Sequence, residues 1–119
     1  MRKARAWFAG FHAASPKDLP AMGTQENAYF RMVTSYWDMA ASFVTSGVLN
    51  EELFLQINGE LVFVWEKIRE LLPQIRVNNK NPNYMKNLET VGNAGIQRMP
   101  AEAYQSFSAM IKGMATAGR

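Results

Sequence analysis

Between Asn50 and Arg76 the chain reads NEELFLQINGELVFVWEKIRELLPQIR, and its apolar residues Leu53, Ile57, Leu61, Val64, Ile68, Leu71 and Ile75 recur every three or four positions. That spacing keeps them on one stripe of an α-helix, which must find partners to bury it. Asn50 can accept backbone N–H bonds as N-cap, and Glu51 and Glu52 set negative charge against the positive end of the helix dipole. Gly59 sits inside the pattern, where glycine costs about 1 kcal/mol relative to alanine, so either a partner backbone comes close there, the preferred reading, or the helix is locally weakened. Pro73 lacks an N–H and crowds the carbonyl four residues back, so a kink or restart is expected between Leu72 and Ile75.

What surrounds this helix is bounded by composition. A chain of 119 residues with 48% hydrophobic and 19% charged residues has the balance of one globular domain with a core of its own. It has no cysteine, which removes disulfides, thiolate metal sites and thiol nucleophiles, and fits a reducing compartment. No window offers the roughly 18 apolar residues of a membrane span. The opening MRKARAWFAGFHAAS has the outline of a secretory signal, but Gly10, His12 and the missing A-x-A-like end argue against one. Trp7, Phe8 and Phe11 there suit a short amphipathic helix that packs on the domain or on a second copy. A lipid-surface anchor is the sharper alternative, with a short apolar face for the task.

Two prolines, an aspartate and a glycine in SPKDLPAMG, residues 15–23, mark a linker, so residues 1–23 are expected to form a separable arm and residues 24–119 the domain. Thr24 is a suitable N-cap for a helix in which Phe30, Val33, Trp37, Ala40 and Val44 keep the spacing of a bundle seam, ending at Gly47. Tyr29, Tyr36 and Phe43 run beside that seam. They are expected to pack in the core first and to line a ligand pocket second. After the loop VNNKNPN, Pro82 is expected at the first position of a helix reaching about Val91, which Gly92 and Gly95 then weaken. Pro100 and Glu102 open a last helix with Tyr104, Phe107, Met110, Ile111 and Met114 on one face and a fraying tail from Ala115. Neither strand-like alternation nor a repeat is present. The expected fold is therefore all-α, an antiparallel bundle of about four helices with a short N-terminal helical arm.

The inventory of reactive groups is short. His12 is the single histidine, and general-base work needs a second positioned group. No Cys or His cluster suits zinc, and the glutamates of the central helix lack the Glu-x-x-His pairs of a di-metal bundle. Glu66 is expected to pair with Arg69 one turn on. Gly92-Asn-Ala-Gly95 matches no phosphate-binding loop, and no nucleophile elbow occurs. No catalytic residue, metal ligand or cofactor is expected. The net charge of +3 and pI of about 9.4 come from the two ends of the chain, because the central stretch is acidic. No helix concentrates basic residues with base-reading side chains, so specific nucleic-acid binding is not expected. Lys80, Lys86 and Arg98 with Arg2, Lys3 and Arg5 could form a diffuse polyanion patch.

Tyr29-Phe30 opening a helix, Gly47 with Glu51-Glu52 at the next, then Trp65, Pro73, Arg76 and Tyr84 after an Asn-rich loop resemble, over about residues 26–90, a family of small bacterial helical proteins known only as a domain of unknown function. The resemblance implies an α-helical fold and a bacterial cytoplasmic setting, with no catalytic residues to carry over. Many such proteins carry a membrane segment ahead of the domain, and none is expected in this chain. From the residues themselves, Trp65 is placed at the edge of the core stripe, where it is expected first to cap the core with Arg69 and Arg76 as solvated or bonded neighbours, and second, half exposed, to form a contact surface with them. Trp7 and Phe11 are further interface candidates. The function expected is a non-enzymatic interaction module that self-associates or binds a protein partner. The alternatives are a bundle holding a small apolar or aromatic ligand between Tyr29, Tyr36 and Phe43, or non-specific polyanion contact through the basic ends.

Overall fold

The computed structural model describes residues 1–117, with side chains through Gly113, and among them every regular element is helical. Helix α1 (Arg2–Gly10) is followed by a single 3-10 turn at Pro16–Asp18. Then come α2 (Gln25–Thr45), α3 (Glu51–Ile57), α4 (Gly59–Ile68), α5 (Leu72–Asn79), α6 (Lys86–Gln97) and α7 (Ala101–Ala117). The expected bundle is present, with its core between α1, α2, α4 and α6. The arm belongs to that core: Ala4 and Phe8 are buried, and Trp7, Phe11, Tyr29 and Phe30 interleave above them. Helix α1 is thus packed on the body of the domain.

Local chemistry set the ends of α2 and the start of α3 where the sequence placed them. Thr24 Oγ1 accepts from the Asn27 N–H at 3.1 Å and Asn50 Oδ1 from the Leu53 N–H at 2.9 Å, so both expected caps are formed. Gly47 follows α2 at φ 86°, a left-handed turn that glycine takes without strain. α7 opens after Pro100 and reaches Ala117, beyond the expected start of fraying; the Met114 side chain and residues 118–119 lie outside the described residues.

The central stretch departs from the continuous helix its spacing implied. It is three helices, because Asn58 (φ −115°, ψ 56°) leaves the helical region and caps α3 with its side chain donating to the Phe54 carbonyl. No neighbour approaches Gly59: a Cβ built there meets nothing within 4 Å, so this glycine marks a break and not a close contact. The turn reorients the stripe. Leu53 and Ile57 are 55% and 71% exposed while Phe54 is buried, and only from Leu61 onward does the expected set, Leu61, Val64, Ile68, Leu71 and Ile75, enter the core. The restart at Pro73 is seen, with the proline in the first turn of α5, where its missing N–H has no role to lose.

Helix α6 also corrects the expectation. It begins at Lys86, four residues after Pro82, because Asn81 Oδ1 holds the Asn83 N–H in a turn and Met85 takes a left-handed conformation at φ 59°. It then runs straight through Gly92 and Gly95. Both are buried contact points: a Cβ at Gly92 would fall 2.3 Å from Trp65 Cγ, and one at Gly95 would fall 2.5 Å from Val62 Cγ2. The glycines let α4 and α6 approach, and α6 continues because that packing outweighs their low propensity.

Candidate functional site

Polar links tie distant elements of the bundle together, those of Asp38, Lys67 and Glu60 among them. Asp38 Oδ1 on α2 accepts from the Leu88 N–H at 2.9 Å, capping the open end of α6. Lys67 Nζ on α4 donates to the Phe8 and Ala9 carbonyls at 2.7 and 3.1 Å, satisfying the last turn of α1. Its ammonium also lies 5.2 Å from the centroids of the Phe8 and Phe63 rings. Burial nevertheless pushes the Lys67 pKa down to about 8. Glu60 completes the set, accepting two bonds from Arg5 Nε, one from Nη2 at 2.6 Å and one from the Trp37 indole at 3.1 Å. That bonding and the Glu60 charge hold the Arg5 guanidinium firmly protonated.

Of the two readings of Trp65 the core one holds, and the half-exposed contact surface is not formed. Trp65 is 3% exposed, its indole donates to Asn93 Oδ1 at 2.9 Å, and its ring fills the hollow that Gly92 leaves. The half-exposed edge position is corrected to the core, because α6 packs on the Val62 and Trp65 flank of α4 through Gly92 and Gly95 and widens the buried stripe. Arg69 and Arg76 are engaged within the fold. Arg69 Nη1 lies 3.5 Å from Glu66 Oε2, the pair expected from the sequence, and 3.5 Å from the Tyr104 hydroxyl. Arg76 donates to the Tyr84 carbonyl at 2.9 Å and to Glu89 Oε1 at 3.0 Å, with 16% of its side chain exposed. Trp7 and Phe11 stack at 4.9 Å and pack against Tyr29 and Phe30, so they join the arm to the body.

Nor do Tyr29, Tyr36 and Phe43 enclose a pocket. Tyr36 and Phe43 are 46% and 44% exposed on the outer face of α2, while Trp65 lies in the core. They extend instead into a surface: Met32, Tyr36, Met39 and Phe43 follow one another at four, three and four residues, all between 43% and 49% exposed. Val48, Leu49, Leu53 and Ile57 are exposed apolar residues on the segment that follows. The Leu49 N–H bonds the Phe43 carbonyl at 2.9 Å, and Tyr36 and Ile57 share a shallow depression of about 350 Å³ with Met1, Arg5 and Glu60, which joins the two stretches. Ser35 and Ser42 on the same helix turn their hydroxyls onto carbonyls of their own turn, at Arg31 and Met39. Of the polar side chains along this face, these two serines are thus bonded within the helix, and the Tyr36 hydroxyl remains open to a partner.

The basic ends are partly neutralised. Arg5 pairs with Glu60 at 2.6 Å, Arg98 with Glu51 at 2.9 Å and Lys86 with Glu89 at 3.9 Å. Among the described residues no group of three or more His, Asp or Glu could hold a metal ion, and no helix is long and apolar enough to cross a membrane.

Residues 1–94 match the family described as Domain of unknown function (DUF4760). The chain belongs to that family. The match takes in the stretch 26–90 that carries the resemblance in sequence and adds α1, which the packing shows to be part of the same core. It stops inside α6, leaving α7 beyond the matched residues of this DUF4760 protein. No curated protein and no solved structure matches the chain.

Proposed function

We propose that this DUF4760 protein is a non-enzymatic interaction module of the bacterial cytoplasm that pairs with a second copy of itself through the outer face of α2. One observation carries the reading: four large apolar side chains, Met32, Tyr36, Met39 and Phe43, stand exposed at seam spacing on the longest helix. A 4-3-4 row is the pattern by which one helix packs along another at a shallow angle, and two identical rows are complementary about a two-fold axis. The internally bonded serines lower the desolvation cost of closing such an interface. Two methionines in the row adapt to an imperfect fit. The cysteine-free sequence suits a reducing compartment.

Light scattering coupled to gel filtration tests this directly. At about 0.1 mM protein, where an interface worth about −5.5 kcal/mol is half closed, the wild type should show a mean mass of roughly one and a half times the monomer or more, rising with concentration. Met39→Glu with Phe43→Glu should return it to monomer with an unchanged helical dichroism spectrum. A wild type that stays monomeric, or a double variant that still dimerises, would remove α2 from this role.

A further inference from the structure

The break between α3 and α4 is also a place where the chain can react with itself. Asn58 is followed by Gly59, and no other asparagine in the sequence precedes a glycine. The backbone nitrogen of the next residue attacks an asparagine amide where three conditions meet: that nitrogen is free of a hydrogen bond, its residue does not crowd the ring that forms, and water reaches the product. A continuous helix would deny the first. Here Asn58 leaves the helical region, and Gly59 is the first residue of α4, with no preceding turn to receive its N–H. The backbone bonds at the junction run instead from the Asn58 N–H to the Phe54 carbonyl and from the Leu61 N–H to the Asn58 carbonyl. Gly59 also stands at the positive end of the α4 dipole, which favours its nitrogen in the deprotonated, nucleophilic form. Its surroundings are open, since a Cβ built there meets nothing within 4 Å. Asn58 borders the shallow depression of about 350 Å³ beside Tyr36 and Ile57, which gives water its access.

We propose that Asn58 is a site of spontaneous deamidation in the folded protein and that the reaction loosens α3. The Gly59 nitrogen, deprotonated by hydroxide, attacks Asn58 Cγ; the new C–N bond closes a succinimide, the Cγ–Nδ2 bond breaks, and Nδ2 leaves as ammonia with a proton from water. Water then opens the ring. Cleavage at Cγ gives aspartate, and cleavage at the main-chain carbonyl gives isoaspartate, whose backbone is one methylene longer. The balance is one water consumed and one ammonia released, with no change of oxidation state. Bringing the nitrogen onto Cγ needs rotation about ψ of Asn58, and that rotation displaces only α3, a seven-residue helix with Phe54 as its buried side chain. In the product, the bond from Asn58 Nδ2 to the Phe54 carbonyl, 3.2 Å long, is lost. A carboxylate takes its place at the C-terminal end of α3, where the dipole opposes negative charge. The inference does not rest on pairing through α2.

Peptide mapping by mass spectrometry of the full chain, aged in heavy-oxygen water at mildly alkaline pH, tests the site. Label and a gain of one mass unit should appear at residue 58 before any other asparagine, at a rate that rises with hydroxide. The native chain should react at no less than about a tenth of the rate of the urea-unfolded chain, because opening α3 lies at the low end of local unfolding. Gly59→Ala, whose methyl the open space accommodates, should slow the reaction about tenfold or more by crowding the ring. Earlier loss at another asparagine, reaction confined to urea, or an unchanged rate in Gly59→Ala would overturn the site. Hydrogen exchange tests the consequence: in the aged chain and in Asn58→Asp, amides of residues 51–57 should exchange faster while those of α6 keep their protection. Unchanged exchange over 51–57 in both would overturn the loosening of α3.

Discussion

Among the described glycines, Gly92 makes the tightest contact with a neighbouring helix. Trp65 can lie flat in the core because Gly92 presents bare backbone to its ring. Alanine at 92 would gain about 1 kcal/mol in helix propensity but would force the indole and its bond to Asn93 to move. The clash wins: Gly92→Ala should destabilise the protein by about 1–3 kcal/mol in urea unfolding and shift the Trp65 fluorescence. Gly59→Ala is the counterpart. With nothing within 4 Å of the new methyl and no positive φ, it should be neutral or stabilising by up to about 1 kcal/mol. A large loss at 59, or none at 92, would refute the reading that the two glycines have opposite roles.

At the scale of elements, the helix types and most ends were legible because they rest on near neighbours: Thr24 and Asn50 cap donors three residues on, and Gly47 closes α2. The break at Asn58 was hidden, since the 3.6-residue period of Leu53 and Ile57 continues through it and only tertiary packing turns α3 aside. The outer row of α2 was visible as Tyr29, Tyr36 and Phe43, but which of two apolar stripes faces the core depends on where α1 and α6 lie. Links between distant elements, such as Lys67 to the end of α1, leave no local trace. That link titrates. Burial lowers the Lys67 pKa to about 8 from 10.5, so between those values the unfolded chain holds more protons and the Lys67 contribution to stability rises with pH. Lys67→Met keeps the packing and loses the titration. Relative to it, the wild type should gain on the order of 1 kcal/mol from pH 7 to 10.5, after allowance for solvent screening at this half-exposed group. Urea midpoints for the pair at several pH values measure this, and a gap that is flat or moves the other way would mean that Lys67 is solvated and the α1 clamp is open.

For the whole molecule, α7 raises a question of boundaries. The family match ends at residue 94, inside α6, yet α6 cannot be cut there, because Gly95 seats against Val62 and Arg98 pairs with Glu51. The smallest coherent unit therefore runs to Met99. Beyond it, α7 is a 17-residue helix in which Ile111 is the single buried position among the described side chains, with Tyr104 and Phe107 half-buried. The Tyr104 hydroxyl ties it further, to Glu66 Oε1 and Arg69 Nη1, and Oε2 of that carboxylate has no hydrogen-bond donor. A helix that buries so little and hides an unsatisfied acceptor adds modestly to the core it covers. A chain ending at Met99 should consequently fold cooperatively, losing about 1–3 kcal/mol in urea and about one helix in the dichroism spectrum. Loss of the cooperative transition would show instead that α7 closes the core, and that the unit which folds is larger than the part the family defines.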